Sequence, residues 1–74
     1  MIDNPQPGDK GYTRSGQKVK VTEILPSWAG KYPVKVQIRN TMWTWDEHFL
    51  TVDGYEFDKN KESVNDFVRK ENWL

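Results

Sequence analysis

The sequence predicts a mainly β domain: a small, five-stranded, strongly bent antiparallel sheet forming a partly open barrel, followed by one short C-terminal helix. Three observations carry this. Val34, Val36 and Ile38 alternate with Lys35, Gln37 and Arg39, and Val19 and Val21 alternate with Lys18 and Lys20, the period-two pattern of strands with one wet face. Turn formers recur at short intervals with no room for a helix between parallel strands. The one stripe at helical spacing is Val64, Phe67 and Val68, near the end of the chain.

Taken in order, residues 1–7 hold Pro5 and Pro7 and read as an extended lead-in. Gly8-Asp9 opens a first strand over residues 10–13, and Arg14-Ser15-Gly16-Gln17 is a turn. Residues 18–25 form the second strand. Pro26 and Gly30 bound a loop that contains Trp28, whose ring is either a lid on the barrel or an exposed anchor for a ligand. Residues 34–39 form the third strand. A two-residue turn at Asn40-Thr41 would set Ile38 against Trp43 and Val36 against Trp45, pairs of a kind that stabilise sheets by about 0.2–1 kcal/mol each. Thr41 suits a positive φ poorly, so a longer turn is the alternative. In the two-residue register Phe49 shares the parity of Trp45, and Glu47 between them points inward. A buried carboxylate is costly unless paired, so a bend or bulge is expected at Asp46-Glu47, or an open barrel end. Val52-Asp53-Gly54 is a tight turn, and Tyr55-Glu56-Phe57 returns as the fifth strand. After a polar connection, Ser63 with Asp66 three residues on forms a short-armed capping box, opening a helix over residues 63–72. Trp73 and Leu74 then fold back as a plug or meet another subunit. The domain plan is lead-in 1–7, barrel 8–58 and helix 63–72. Five short antiparallel strands in about fifty residues suit a barrel of the Src-homology type.

A chain of 74 residues is one domain, and a domain this small buries only roughly 60% of its unfolded surface. It has no cysteine, so disulfides and thiolate metal sites are excluded. Its four Trp, three Tyr and three Phe are expected to supply the core. Net charge is zero, which argues against a generic binder driven by phosphate attraction. The charges are segregated: residues 1–40 carry a surplus of four positive and residues 41–74 a deficit of four, which can create a dipolar surface. No apolar run approaches the roughly 18 residues of a membrane span and no signal peptide is visible, so a soluble, cytoplasmic protein is expected.

The run PGDKGYTRSGQKVKVTEI resembles the opening of many small barrel domains. YPVKVQI, FLTVDGYEF and ESVNDF are similar to a pattern in short proteins encoded by bacteriophages and prophages. The matching residues are Tyr32-Pro33, Asp53-Gly54, Tyr55, Phe57, Glu62-Ser63 and Asp66-Phe67, and the resemblance covers residues 8–67. The chain departs from the pattern at Val64, where proline is frequent, and in the tryptophan-rich residues 43–48. The resemblance implies an accessory protein acting in the host bacterial cytoplasm: one that inhibits a host enzyme, blocks a defence system or sequesters a nucleotide immune signal.

Catalysis has little to work with. His48 is the only histidine, and Ser15, Ser27 and Ser63 lie in no nucleophile context. The acids over residues 53–58 lack calcium-loop spacing, and the glycines sit singly in turns without a phosphate cradle. No cofactor or metal is implied. Three binding functions remain. First is inhibition of a host bacterial protein through an acidic and aromatic surface made of Asp46, Glu47, Asp53, Glu56 and Asp58, with Trp28 or Trp45 as anchor. Second is a sponge for a nucleotide signal, with Trp28, Tyr32 and Trp43 stacking on bases and Arg14 and Arg39 holding phosphates, completed in a small homo-oligomer. Third is a nucleic-acid-binding barrel using Lys18, Lys20, Lys35 and Arg39.

Overall fold

Valines and isoleucines at every second position give two segments one dry face each. These segments are β2 (Lys18–Ile24) and β3 (Val34–Arg39), paired antiparallel with Val19 opposite Ile38 and Val21 opposite Val36. The computed structural model describes residues 2–73. Three further strands, β1 (Lys10–Thr13), β4 (Trp45–Leu50) and β5 (Phe67–Lys70), complete one antiparallel sheet in the order β4-β3-β2-β1-β5. Among the described residues no ladder joins the edge strands β4 and β5. Register shifts fall between Val21 and Glu23 on β2 and between Tyr12 and Thr13 on β1. None falls at Asp46-Glu47, where a bend or bulge was one expectation and an open barrel end the other; β4 pairs with β3 without interruption.

The dry face collects Val19, Val21, Val34, Val36, Ile38 and Leu50, each no more than 3% exposed, joined by Ile2 and Phe67. Burial of each such side chain contributes about 1.5–3 kcal/mol. No tryptophan belongs to this core, contrary to the expectation that aromatic rings would fill it. Branched aliphatic side chains from three adjacent strands already tile the face.

The long connection over residues 51–66 and the lead-in cover that face together. The Ile2 amide donates to the Asp53 carbonyl (3.3 Å) and the Phe67 amide to the Gly54 carbonyl (2.8 Å). Gly54 has φ 91°, and a Cβ there would stand 2.8 Å from the Phe67 carbonyl oxygen and 2.9 Å from Ile2 Cγ1, so only glycine fits. Lys70 Nζ donates to the Asp3 carbonyl and pairs with the Asp9 carboxylate (3.1 Å), tying the lead-in to β5. Burial alone would raise the pKa of the Asp9 carboxyl. The Gln6 amide and the Lys70 ammonium outweigh it and hold the group below its ordinary range.

The expected C-terminal helix is absent. Residues 63–66 form a turn, with the Asp66 amide donating to the Ser63 carbonyl (3.1 Å), and the chain then runs straight as β5. The helical stripe is split: Phe67 is buried, Val68 half-buried and Val64 exposed. The outer edge of β1 takes this segment as its partner, Gly11 opposite Lys70 and Tyr12 opposite Arg69. A helix this short is marginal on its own. Residues 55–57, expected as the fifth strand, lie in the connection, and Leu74 lies outside the described residues.

Asp66 is fully buried. Its carboxylate accepts from Arg14 (3.1 Å), the Glu56 amide (2.8 Å) and the Ser63 amide (3.0 Å), which joins the β1–β2 turn to the connection. Asp66→Ala orphans both amides and is expected to cost about 2–4 kcal/mol, a large share of a small domain's stability. Urea unfolding followed by tryptophan fluorescence measures this, and an unchanged midpoint contradicts it. A depressed carboxylate adds stability above its unfolded pKa, and that stability is lost as pH falls through the folded value. Asp9→Asn is therefore expected to flatten the loss of stability below about pH 4, as read from thermal midpoints across that range.

Candidate nucleic-acid interface

The β3–β4 hairpin closes at Asn40 and Thr44. The Asn40 amide donates to the Thr44 carbonyl (2.9 Å) and the Trp43 amide to the Asn40 carbonyl (3.2 Å). This is a three-residue loop whose last member is left-handed, and that member is Trp43, with φ 62°. Asn40 Oδ1 accepts from the amides of Met42 (2.8 Å) and Thr44 (3.1 Å), and its Nδ2 donates to Thr44 Oγ1 (2.6 Å) and Asp46 Oδ2 (3.0 Å). The longer turn is the one adopted. Arg39 therefore stands opposite Trp45, Ile38 opposite Asp46 and Val36 opposite His48. The pairing is shifted by three residues from the two-residue-turn register, and any odd shift exchanges the two faces of a strand, so Trp45, Glu47 and Phe49 go to the outer face, and Glu47 does not point inward.

That outer face is dense in cations and rings. Lys10, Lys20, Gln37 and Glu47 form one row across four strands. Lys20 Nζ lies 4.3 Å from the centre of the Trp45 ring. The Arg39 guanidinium lies 4.8 Å from Trp45 and 5.5 Å from Trp43. Arg39 Nη1 donates to the Trp43 carbonyl (2.9 Å), while its Nε is buried without a partner. Beyond β5 the chain turns back over the sheet. Trp73 stacks on Trp45 with centres 5.8 Å apart and donates from Nε1 to the Gly11 carbonyl (2.8 Å). Lys10 and Lys18 lie 5.0 and 5.2 Å from its ring, and Arg69 lies 4.7 Å from Tyr12. Beside the hairpin a cleft of about 360 Å³ is lined by Gln17, Lys18, Arg39, Asn40, Thr41 and Trp43.

The basic residues expected from the sequence divide. Lys18, Lys20, Lys35, Arg39 and Trp43 share this side of the molecule, with Lys35 held by Glu47 (3.3 Å) and Glu23 (3.9 Å). Arg14 is taken up by Asp66 and by Glu62 (3.7 Å), and Tyr32 donates its hydroxyl to the Phe57 carbonyl (3.2 Å). Neither joins the face. Trp73, Lys10 and Arg69 were missed. The sequence held one signal for them, an apolar pair at the chain terminus able to fold back.

The expected acidic surface is dispersed. Glu56 is half-buried and accepts from Ser63 Oγ and Asn65 Nδ2, with His48 Nδ1 3.3 Å away. The carboxylate thus sits between serine and imidazole, so these bonds do not place the imidazole to deprotonate Ser63. Asp58 accepts from the Asn60 amide (2.8 Å), Asp46 is bound by Asn40, and Asp53 is exposed in the turn beside Gly54. Trp28 projects from a 3-10 turn, Ser27–Ala29, and is 84% exposed.

No protein-family model, curated protein or solved structure matches this chain.

Trp43 is 77% exposed, so its ring gains little from burial while its backbone occupies a region that costs a side-chain-bearing residue about 1 kcal/mol or more. Trp43→Gly is expected to stabilise the fold by about 1 kcal/mol. Chemical denaturation is the measurement, and a destabilised variant would show that the ring packs more than its exposure indicates.

Proposed function

We propose that this chain is a non-enzymatic binding module whose outer sheet face takes single-stranded nucleic acid. One observation supports this above the others: Lys10, Lys18, Lys20, Arg39 and Arg69 each stand within 5.5 Å of an aromatic ring on the same face. Single strands offer phosphates to cations and unpaired base planes to rings, and stacking of a base on an aromatic side chain contributes about 1–3 kcal/mol. The cleft beside Trp43 adds donors and acceptors from Gln17 and Asn40 around an exposed ring, the mixture that orients a polar, flat ligand. We take the four-strand meander β1–β4, extended by β5 on the edge of β1 and bent at two register shifts, as the wall of a partly open barrel of Src-homology type. The resemblance drawn from the sequence supplies the setting, an accessory protein of a phage or prophage in the bacterial cytoplasm.

Binding of a host protein is the second reading, and Trp28 favours it as an exposed ring of the kind that anchors interfaces. It ranks lower because Asp46, Glu47, Glu56 and Asp58 are engaged within the fold.

Fluorescence anisotropy with a short labelled oligonucleotide tests the first reading. Binding to the single strand is expected to exceed binding to the duplex, with a log–log salt slope of about −2 to −3. Lys20→Ala is expected to lower that slope by about one whatever the base sequence. Displacement by a mononucleotide at comparable concentration would reassign the site to a small nucleotide signal. An oligonucleotide that does not bind at low salt rules the function out.

A further inference from the structure

Trp73 is held as a base would be held. One plane of its indole is covered by Trp45 at 5.8 Å and 26°. Its ring N–H is spent on one carbonyl, that of Gly11. Two ammonium groups, from Lys10 and Lys18, lie over its ring at 5.0 and 5.2 Å. The ring remains only half-buried. Among the described residues the sheet's backbone bond nearest the indole runs from the Glu71 amide to the Lys10 carbonyl (2.8 Å), two residues before it. Trp73 lies outside the aliphatic core, which is complete without it. Among the described residues the indole is held by one stack, one hydrogen bond and the two ammonium groups over its ring, interactions of the same kind and order as those an incoming base would make.

Trp45 has no comparable surface left for a ligand while Trp73 covers it. Lys20 and Arg39 also approach its ring, at 4.3 and 4.8 Å. A polyanion drawn to these cations arrives beside a ring already capped by the chain's own indole.

We propose that Trp73 occupies a base-stacking subsite on Trp45 and that a base of the bound single strand takes its place. This rests on the nucleic-acid function above and adds a second stacking position to the one at Trp43, together with an internal competitor for it. Binding then carries a conformational cost, since the competent state is the fraction in which the indole has left, and the apparent dissociation constant is raised by that fraction.

The experiment compares the unsubstituted protein with Trp73→Ala, Trp73→Phe and Trp45→Ala, using the same labelled single strand at low salt. Trp73→Ala is expected to bind about three- to tenfold tighter, Trp45→Ala about tenfold weaker, and Trp73→Phe to fall between the unsubstituted protein and Trp73→Ala. In the unsubstituted protein, added oligonucleotide is expected to abolish the exciton couplet that two stacked indoles produce in circular dichroism. This readout needs no variant and so survives any folding defect. If the unsubstituted protein binds but the couplet persists and Trp73→Ala weakens binding, Trp73 is a fixed part of the platform and the proposal fails alone. If none of the four proteins binds, the nucleic-acid function fails and takes the subsite with it.

Discussion

Strand side chains alternate between faces, so the loop joining β3 and β4 fixes the composition of both sides of the sheet at once. With Asn40 and Thr44 as the closing pair, Trp45 meets Arg39 and joins the side that carries Lys18, Lys20 and Lys35. A loop shorter by one residue would send Trp45 and Phe49 into the core and Glu47 with them. The adopted register carries backbone strain at Trp43, about 1–3 kcal/mol, and sets Asp46 in place of Glu47 opposite a core residue, Ile38, with its carboxylate bound by Asn40. Asn40 then holds the longer loop through four side-chain hydrogen bonds, and Glu47 finds Lys35 on the wet side. The aromatic character of the outer face is therefore a consequence of the length of this one loop.

The same contest between local and distant partners explains the helix that does not form. Ser63 and Asp66 have the spacing of a capping box, and the Asp66 carboxylate does accept the Ser63 amide. A turn that leads into a strand satisfies that bond equally well. The deciding groups lie elsewhere: the Arg14 amide donates to the Asp66 carbonyl, the Ser15 amide to the Val64 carbonyl, and the Arg14 guanidinium reaches the buried carboxylate. Those partners stand some fifty residues earlier in the chain, and no window of sequence around Ser63 contains them. The alternation that defines β2 and β3, by contrast, is complete within each strand, which is why those elements and the antiparallel plan were legible.

The candidate site divides along the same line. Lys18, Lys20, Lys35 and Arg39 could be grouped from the sequence because period two places them on one side of adjacent strands. Arg69 and Trp73 could not, because they reach that side only through the pairing of β5 with β1, whereas Lys10 reaches it by pairing with Lys20 on β2 and was overlooked. Arg14 and Tyr32 looked equivalent to the others as a cation and a ring, yet both are consumed by the turn and the loops they hold. The acidic group failed for a related reason: carboxylates clustered in sequence over residues 46–58 are handed to different internal donors once the chain turns through them.

Zero net charge bears differently on an anionic ligand once the charges are placed. Asp66, Asp9 and Glu47 each neutralise a cation at short range, and Glu56, Asp58 and Asp46 accept hydrogen bonds within the fold. Lys10, Lys20 and Arg39 lie instead against rings. A ring attracts a cation through its quadrupole without cancelling the charge, so these groups keep their full field toward solvent. The molecule measures 33 × 25 × 21 Å, while charges are screened beyond about 8–10 Å at physiological salt. A phosphate approaching the outer face therefore responds to the cations beneath it and hardly at all to acids on the far side. The sum over the whole chain is zero, but no ligand at this face experiences that sum.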